Sequence, residues 1–422
     1  MKNCPPNLNG NIIMAGTVKD EAGKTLENVN LTVNSNQPKS MTTDKNGAFL
    51  FSGLKKGQDY IISPEKDTNP TNGITTIDLL TIQKHILGIK QLGSPYKVIA
   101  ADVDKNGYVS TKDLFELRKL ILQLIDKFPN NKSWRFIDGN YVFPDPKNPF
   151  LSVFPEVLNY NKVNNDMLNL NVMGIKVGDV DGSAIPNQII ENEVRSELPE
   201  LQLSLTDQKL IENTEIEVPV FLNQTNIQTL QFTLKFDETK LELINISSKT
   251  LPDWSADAIN DSRANEGIIA MAWYSLIPFV VDQNTVAFTM RFKVKESGIL
   301  SQSCKITRDL IEPMAYSESE QTLTPKLRYS DNNIKKTLMN HHNSPNPFHS
   351  ETSINYYISY NSDITLNIYD INGKLILSKQ TFAETGLNQI LLRATDLKHS
   401  GLFIYEIVTP WERVSDKMII TD

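Results

Sequence analysis

The sequence predicts a multidomain, mainly β protein in which three β-sandwich domains accompany one small α-helical unit. Short runs of alternating apolar and polar residues recur over most of the 422 residues, with turn-forming residues between them. An Asp-rich loop occurs twice, and each copy is followed by helix-spaced apolar residues. At this length the chain accommodates about three domains.

The same patterns predict where the domains begin and end. Alternation is strong near both ends of the chain and in the middle, whereas the helical signals are confined to one region that continues into an aromatic-rich extension. The predicted β-sandwiches cover residues 1–65, 200–325 and 340–422, and the helical unit with its extension covers residues 66–186.

Residues 102–113 place oxygen-bearing side chains at alternate positions around a central glycine. Calcium takes about six to eight oxygen ligands, so a short loop must direct alternate side chains inward and turn sharply. Gly107 permits that turn, because a residue without Cβ adopts positive φ at little cost. The pattern predicts Ca²⁺ ligation by the side chains of Asp102, Asp104, Asn106 and Asp113 and by the backbone carbonyl of Tyr108.

An earlier copy of this loop runs from Asp67 to Asp78 and contains fewer carboxylates. It predicts ligands at Asp67, Asn69 and Asp78, which are the first, third and twelfth positions of the loop. Asn72 stands at the turn, where asparagine tolerates left-handed backbone better than most residues. Fewer carboxylates predict weaker calcium binding, and a turn that binds no ion is the alternative for this copy.

A duplicated calcium loop followed by one helix, with no helix before it, resembles the dockerin family. The resemblance implies a structural role for calcium and a protein partner. Dockerins contact their partners through loop positions 10 and 11 and through the following helix. The corresponding partner surface comprises Thr76, Ile77, Lys84, Thr111, Lys112 and Lys119. An ordinary solvated helix surface is the alternative for these six residues.

A third Asp-rich stretch, Gly178-Asp-Val-Asp-Gly182, looks like the opening half of another calcium loop. The twelfth position of that loop is Ile190, whose side chain cannot bind a metal. We therefore hypothesise that Asp179 and Asp181 complete the poorer first site, and a polar turn is the alternative.

Two further segments are similar to known β-sandwich families. The run AGTVKDEAGKTLENVNLTV, with TTDKNGAFLFSGLKKG after it, resembles carboxypeptidase-regulatory or transthyretin-like modules, which implies a spacer. The run IQTLQFTLKFDETKLELINIS, followed later by NTVAFTMRFKVKESG, is similar to cohesin domains. Cohesins are the partners of dockerins, so both types of module are predicted in one chain.

The C-terminal segment carries four landmarks in order: Ser344-Pro-Asn-Pro-Phe348, Tyr-Asp-Ile-Asn-Gly, Ser400-Gly401 and Lys417-Met418. Together they resemble the type IX secretion sorting domain of Bacteroidetes. The resemblance implies contact with the type IX secretion machinery and a secreted or cell-surface location. Exported proteins of this kind begin with a signal peptide, which the first residues lack. We therefore expect the chain to be part of a longer protein, and a wrongly assigned start site is the alternative.

Composition and motifs restrict the function further. The formal net charge of −8 disfavours nucleic-acid binding, and no apolar run reaches the roughly 18 residues of a membrane span. The chain shows no nucleophile motif, histidine–metal cluster or phosphate loop, so we expect no catalytic activity within it. We predict a non-catalytic extracellular or cell-surface module string for protein contact or adhesion, rigidified by calcium.

The alternative function is a glycan-binding accessory part of a larger secreted carbohydrate-active enzyme, with a polysaccharide as the ligand. Aromatic side chains can stack on sugars, and Trp254, Trp273 and Tyr274 lie in the middle of the cohesin-like segment. The competing interpretation is that these rings belong to the core of that sandwich.

Overall fold

The computed structural model describes residues 11–34, 38–187, 198–280, 285–330, 338–358, 361–384, 386–397 and 399–421. It divides the chain into two compact units, Met1–Glu197 and Leu198–Asp422. Both consist mainly of β-strands, which confirms the predicted fold class. Residues 1–10 of the first predicted domain and Ile190 lie outside the described residues.

The N-terminal unit contains the helices of the predicted calcium-binding region and strands on both sides of them. Its elements are β1 (Asn11–Lys19), β2 (Asn30–Asn34), β3 (Lys39–Thr42), β4 (Ala48–Lys55), β5 (Gln58–Glu65), α1 (Thr76–Ile86), α2 (Pro95–Ala101), α3 (Thr111–Ile121), β6 (Trp134–Asp138), β7 (Leu158–Val163) and β8 (Met167–Lys176).

Two four-stranded sheets, β4-β1-β8-β6 and β3-β2-β5-β7, pack around one apolar core. The strands that follow the helices therefore belong to the first sandwich, since β8 lies parallel to β1 and β7 pairs with the edge of β5. The sandwich extends beyond the boundary at residue 65 that the sequence indicates. Local patterns do not show this arrangement, because β1 and β8 pair across the whole helical insertion.

The helices form because each one starts at a hydrogen-bonding cap and presents apolar residues at helical spacing. The hydroxyls of Thr75 and Ser110 begin α1 and α3, and the aspartate three residues later returns a hydrogen bond in both cases. Ser94 caps α2, with proline at its first position. The inward residues of α1 and α3, such as Leu79 and Leu117, are fully buried.

The first part of the C-terminal unit is a β-sandwich over the segment that the sequence analysis compared with cohesins. Its elements are β9 (Glu200–Thr206), β10 (Lys209–Leu210), β11 (Glu215–Leu222), β12 (Ile227–Phe236), β13 (Leu241–Ser247), β14 (Ile259–Asn260), β15 (Ile268–Phe279), β16 (Val286–Val294), β17 (Gly298–Ile299), α4 (Leu300–Ser303), β18 (Cys304–Thr307), β19 (Met314–Ser317) and β20 (Thr322–Ser330). The strand order β13-β16-β11-β9-β20-β19-β12-β15-β14 encloses one core, and β18 also pairs with β12.

The second part of this unit is a smaller sandwich. It contains β21 (Leu338–Ser344), β22 (Glu351–Ile358), β23 (Ser362–Asp370), β24 (Leu375–Ala383), β25 (Gly386–Arg393), β26 (Gly401–Val408) and β27 (Arg413–Ile420). The sheets β21-β22-β25 and β24-β23-β26-β27 share an apolar core. The two sandwiches of this unit touch where the Tyr357 hydroxyl accepts a hydrogen bond from the Val286 backbone N–H at 2.8 Å.

Within the ranges that the structure describes, no helix combines the length and the apolar character needed to cross a membrane.

The close pairing of β1 with β8 generates the first prediction. A Cβ atom on Gly16 would lie 2.1 Å from the backbone oxygen of Leu170, so Gly16→Ala must push the two strands apart. We expect a loss of about 1–3 kcal/mol in the free energy of unfolding of the N-terminal unit, measured by denaturant titration. The neighbouring Ala15→Ser is the control, and equal stability of the two variants would contradict this strand pairing.

Candidate calcium sites and partner surface

The loop at residues 102–113 joins the end of α2 to the first turn of α3. Asp102, Asp104 and Asp113 are all buried, and one carboxylate oxygen from each lies within 4.8 Å of the other two. Gly107 has a φ of 89°, the left-handed turn that its position predicts. Three hard oxygen donors around a sharp turn fit a calcium ion.

Backbone donors hold these carboxylates in place. Asp102 Oδ1 accepts a hydrogen bond from the Asn106 N–H at 2.9 Å, and its Oδ2 accepts one from the Gly107 N–H at 3.2 Å. Asp113 Oδ1 accepts one from the Asp104 N–H at 3.1 Å. The twelfth residue of the loop is thus tied to the third, and the first is tied to the fifth and sixth.

Two other predicted ligands of this loop are placed differently from the three buried carboxylates. Asn106 is exposed at the fifth position, where its side-chain amide donates to Asp104 Oδ2 at 2.9 Å. The Tyr108 side chain is also exposed, which agrees with a prediction that concerns only its backbone carbonyl.

The predicted ligands of the first loop do not form a comparable group. Asp78 is fully buried in the first turn of α1. Asp67 Oδ1 instead accepts hydrogen bonds from the backbone N–H and the hydroxyl of Ser133, at 2.8 and 2.9 Å. Asn69 is exposed and takes a left-handed backbone with a φ of 51°. The glycine shift and the proline in this copy give it a different path from residues 102–113.

A second carboxylate cluster forms between Asp78 and the stretch that follows β8. Asp78, Asp179 and Asp181 each place one carboxylate oxygen within 4.8 Å of the others. Asp78 and Asp179 are buried, while Asp181 is exposed. The structure thus joins Asp179 and Asp181 to the twelfth-position residue of the first loop, as the sequence hypothesis proposed.

Several hydrogen bonds of this second cluster repeat those of residues 102–113 at the same loop positions, and it adds two more, from the Val180 N–H to Asp78 Oδ1 at 2.8 Å and from the Gly182 N–H to Asp179 Oδ1 at 2.7 Å. Asp179 accepts from the N–H groups of Ser183 at 3.2 Å and Ala184 at 2.9 Å, as Asp102 does from its fifth and sixth residues. Asp78 Oδ1 accepts from the Asp181 N–H at 3.4 Å. Residues 179–184 therefore provide the first half of a loop whose twelfth residue is Asp78.

Contacts with the neighbouring chain segments hold this two-segment loop together. The Asn72 side chain donates to the Ile185 carbonyl at 2.8 Å and accepts from the Ile185 N–H at 3.2 Å, which links the two segments near the middle of the loop. Lys24 donates to the carbonyls of Gly182 and Ala184 at 3.1 and 2.9 Å. The site is anchored to the sandwich as well as to α1.

Burial makes both clusters unfavourable for negative charge. It raises the pKa of Asp102 and Asp113 above the ordinary value. Burial, with Asp181 and Asp179 nearby, raises the pKa of Asp78 well above it, and burial with Asp181 raises the pKa of Asp179 to about 7. The buried Lys176 ammonium offsets part of this charge, although burial lowers its own pKa to about 7. A divalent cation would relieve the repulsion at either cluster.

The six residues of the predicted partner surface differ in how far they are exposed to solvent. Thr76 and Ile77 are buried and Lys84 is half-buried, so the first copy does not present the predicted surface. Thr111 and Lys112 are exposed on α3. The half-buried Lys119 ammonium lies 4.1 Å from the ring centre of Phe115, which is an exposed aromatic residue that the sequence analysis did not select.

The aromatic residues of the glycan-binding alternative belong largely to the core. Trp273 and Tyr274 are buried in β15, and the Trp273 ring N–H donates to the Pro252 carbonyl at 2.8 Å. Trp254 is partly buried and packs against the same apolar cluster. These three residues do not form an exposed stacking platform.

Comparisons with known families match two parts of the chain. The dockerin type I domain model matches residues 65–122, and the model of the secretion system C-terminal sorting domain matches residues 344–421. The chain therefore carries a dockerin-type module and a sorting domain, which confirms both resemblances. No curated protein matches this chain.

Several solved structures are similar to parts of the chain. A type I cohesin–dockerin complex from Clostridium thermocellum is 18% identical, with 31% of this chain and 99% of that chain covered and a TM-score of 0.25. The seventh ScaB type I cohesin from Pseudobacteroides cellulosolvens is 18% identical, with 34% and 100% covered and a TM-score of 0.22. The Bacillus anthracis TIE protein is 10% identical, with 97% and 48% covered and a TM-score of 0.22.

The two family matches support a broad functional statement. A dockerin-type module indicates contact with a protein partner, and the sorting domain indicates export by type IX secretion to the cell surface or the medium.

The raised pKa values predict how the stability of the metal-free protein depends on pH. A carboxyl whose folded-state pKa lies above its unfolded value binds more protons when folded, so stability falls as pH rises between those values. For Asp179 this window runs from about pH 4, the unfolded value, to about 7. In chelator, we expect the melting temperature of the N-terminal unit to fall as the pH rises from about 4 to 7.

Two controls accompany this measurement. Asp179→Asn removes the titrating group and should flatten the fall, and saturating calcium should flatten it in the unchanged protein. A melting temperature that is the same at pH 4 and pH 7 in chelator would contradict the buried three-carboxylate cluster.

Proposed function

We propose that this chain is a non-catalytic, exported protein-contact module whose helical unit is locked onto its sandwich by two calcium ions. One ion binds the loop at residues 102–113, with Asp102, Asp104 and Asp113 as carboxylate ligands. The other binds Asp78, Asp179 and Asp181. The observation that carries this proposal is the repetition of one hydrogen-bond pattern in both carboxylate clusters.

The two sites differ in what they connect. The loop at residues 102–113 is continuous and orders the start of α3. The second site joins the start of α1 to the segment after β8, so calcium there closes the helical insertion onto the sandwich that carries it. Because the unfolded chain does not hold these carboxylates together, calcium stabilises the folded state by binding it selectively.

Calorimetric titration of the full chain with calcium tests this proposal. We expect two bound ions and, at a calcium concentration about 100 times Kd, a gain of about 2.7 kcal/mol in unfolding free energy per site. Asp104→Asn should weaken one site and Asp181→Asn the other. Asp67→Asn is the matched control, because Asp67 contacts Ser133 and not the second cluster, and it should leave both sites intact.

Each outcome of this titration distinguishes one arrangement from another. If Asp67→Asn removes an ion and Asp181→Asn does not, the first loop binds calcium by itself and the two-segment site is wrong. If the unchanged protein binds no calcium and melts at the same temperature in calcium and in chelator, both sites are wrong.

We further propose that the protein partner binds the α3 side of the helical unit. Thr111, Lys112, Phe115 and Lys119 form a continuous stretch of that helix with an aromatic ring beside a lysine ammonium. Aromatic residues with a cationic neighbour are frequent energetic centres of protein interfaces. The corresponding positions at the start of α1 are buried, so the contact is one-sided.

Binding to purified type I cohesins, in calcium, tests this surface. We expect Phe115→Ala to weaken the binding of a recognised cohesin about tenfold or more, since a truncated interface anchor loses at least about 1.4 kcal/mol. Lys119→Ala on the second repeat should also weaken binding, and Lys84→Ala, at the corresponding position of the first repeat, is its control. Equal losses for the two lysine variants would contradict a one-sided contact.

A further inference from the structure

A guanidinium group lies against the first carboxylate of the loop at residues 102–113. Arg135, on strand β6 of the sandwich, places Nη1 3.4 Å from Asp102 Oδ2. Both side chains are buried, with 7% and 1% exposed. The pair therefore lies in a low-dielectric setting, where a charge–charge interaction is much stronger than at the surface.

The same arginine is also held from its other side. Arg135 Nε donates to Glu156 Oε1 at 2.5 Å, and Lys105 Nζ donates to Glu156 Oε2 at 2.6 Å. The guanidinium carbon lies 5.4 Å from the ring centre of Phe154. These contacts fix the guanidinium next to Asp102 and leave Glu156 with a second cation, so Glu156 moderates the positive charge that Arg135 brings to the loop.

Asp104 has a cation as well, but in a different environment. Lys112 Nζ lies 2.7 Å from Asp104 Oδ2, and 60% of the Lys112 side chain is exposed. The Asp104 carboxylate itself is buried, but water reaches the Lys112 ammonium and screens it more than the guanidinium of Arg135. Arg135 is therefore the more deeply buried of the two cations at this loop.

We propose that Arg135 is an internal counter-ion that competes with calcium for the charge of Asp102. In the metal-free protein it neutralises part of the buried carboxylate cluster and keeps the loop in its folded form. Once calcium binds, the guanidinium and the ion repel each other, so Arg135 lowers the calcium affinity of this loop. This inference rests on the proposed calcium binding at residues 102–113.

The two effects have a common origin in the charge of Asp102. The part of the Arg135–Asp102 attraction that is lost when calcium binds, together with the repulsion between the guanidinium and the ion, is subtracted from the free energy of calcium binding. Glu156 acts in the opposite direction to Arg135. The loop is thereby set to release calcium at a higher concentration than its carboxylates alone would allow.

Calcium titration of the full chain in an Asp181→Asn background isolates the loop at residues 102–113. Arg135→Met removes the charge and keeps much of the side-chain volume. We expect it to raise calcium affinity about fivefold or more, the lower end of usual coupling factors, while lowering the melting temperature in chelator. Glu156→Gln leaves Arg135 less neutralised, and we expect it to lower calcium affinity.

A rise in calcium affinity for Arg135→Met together with a fall for Glu156→Gln distinguishes this role from simple support of the fold. If Arg135 only braces the loop, Arg135→Met and Glu156→Gln will both lower calcium affinity, and the proposal is wrong. If Arg135→Met does not fold, Arg135→Gln takes its place, since it removes the charge and keeps a hydrogen-bond donor; calcium affinity below that of the parent protein in this variant contradicts the competition. Lys112→Met is the control for an exposed cation and should change affinity less than Arg135→Met.

Failure of this inference differs from failure of the proposed function. If calcium binds the loop at residues 102–113 with the same affinity in all variants of the Asp181→Asn protein, only the counter-ion role is wrong. A parent protein that binds no calcium overturns the proposed function, and the counter-ion role with it.

Discussion

Burying a carboxylate costs free energy unless cations or hydrogen-bond donors compensate for the lost water. The fold of the N-terminal unit depends on such compensation at two carboxylate clusters. Five of the six carboxylates in its two clusters are buried. Backbone N–H groups compensate for part of the charge, and the shape they impose on the chain is the same at both places. These polar turns also hold the starts of α1 and α3, since the clustered Asp78 and Asp113 lie at the third position of each helix and accept a hydrogen bond from the N-cap backbone.

The helical unit that carries the two carboxylate clusters is inserted into the first sandwich. The chain leaves the first sandwich after β5 and returns to it at β6, so the helices are tethered at both ends. Contacts from Arg135 and Lys24, both in the sandwich portion of the unit, reach the two loops. The helical module is therefore part of one compact unit with the sandwich and is connected to it at both ends. The same packing buries the start of α1 and leaves α3 as the exposed side.

The C-terminal unit places two β-sandwiches in contact. Val286 at the start of β16 and Tyr357 on β22 form a small buried cluster with Phe221, and Lys249 pairs with Glu384 at 2.7 Å beside it. The sorting domain and the neighbouring β-sandwich thus belong to one compact unit.

Local patterns in the sequence determine much of this protein. Alternating residues predict its β-rich architecture, the loop at residues 102–113 is readable because its ligands are contiguous, and the C-terminal landmarks identify the sorting domain. These features depend on neighbours in sequence, which spacing alone reveals. Asp179 and Asp181 are an intermediate case, since the repeated Asp-Val-Asp signalled a half-loop without showing what completes it.

The tertiary structure decides the rest. Pairing of β8 with β1 brings residues 179–184 to the start of α1, so Asp78 gains these partners and Asp67 turns to Ser133. The same packing buries Thr76 and Ile77 and sets Arg135 beside Asp102. These contacts join residues that are distant along the chain, and their formation depends on the fold of the whole sandwich. No local spacing encodes them.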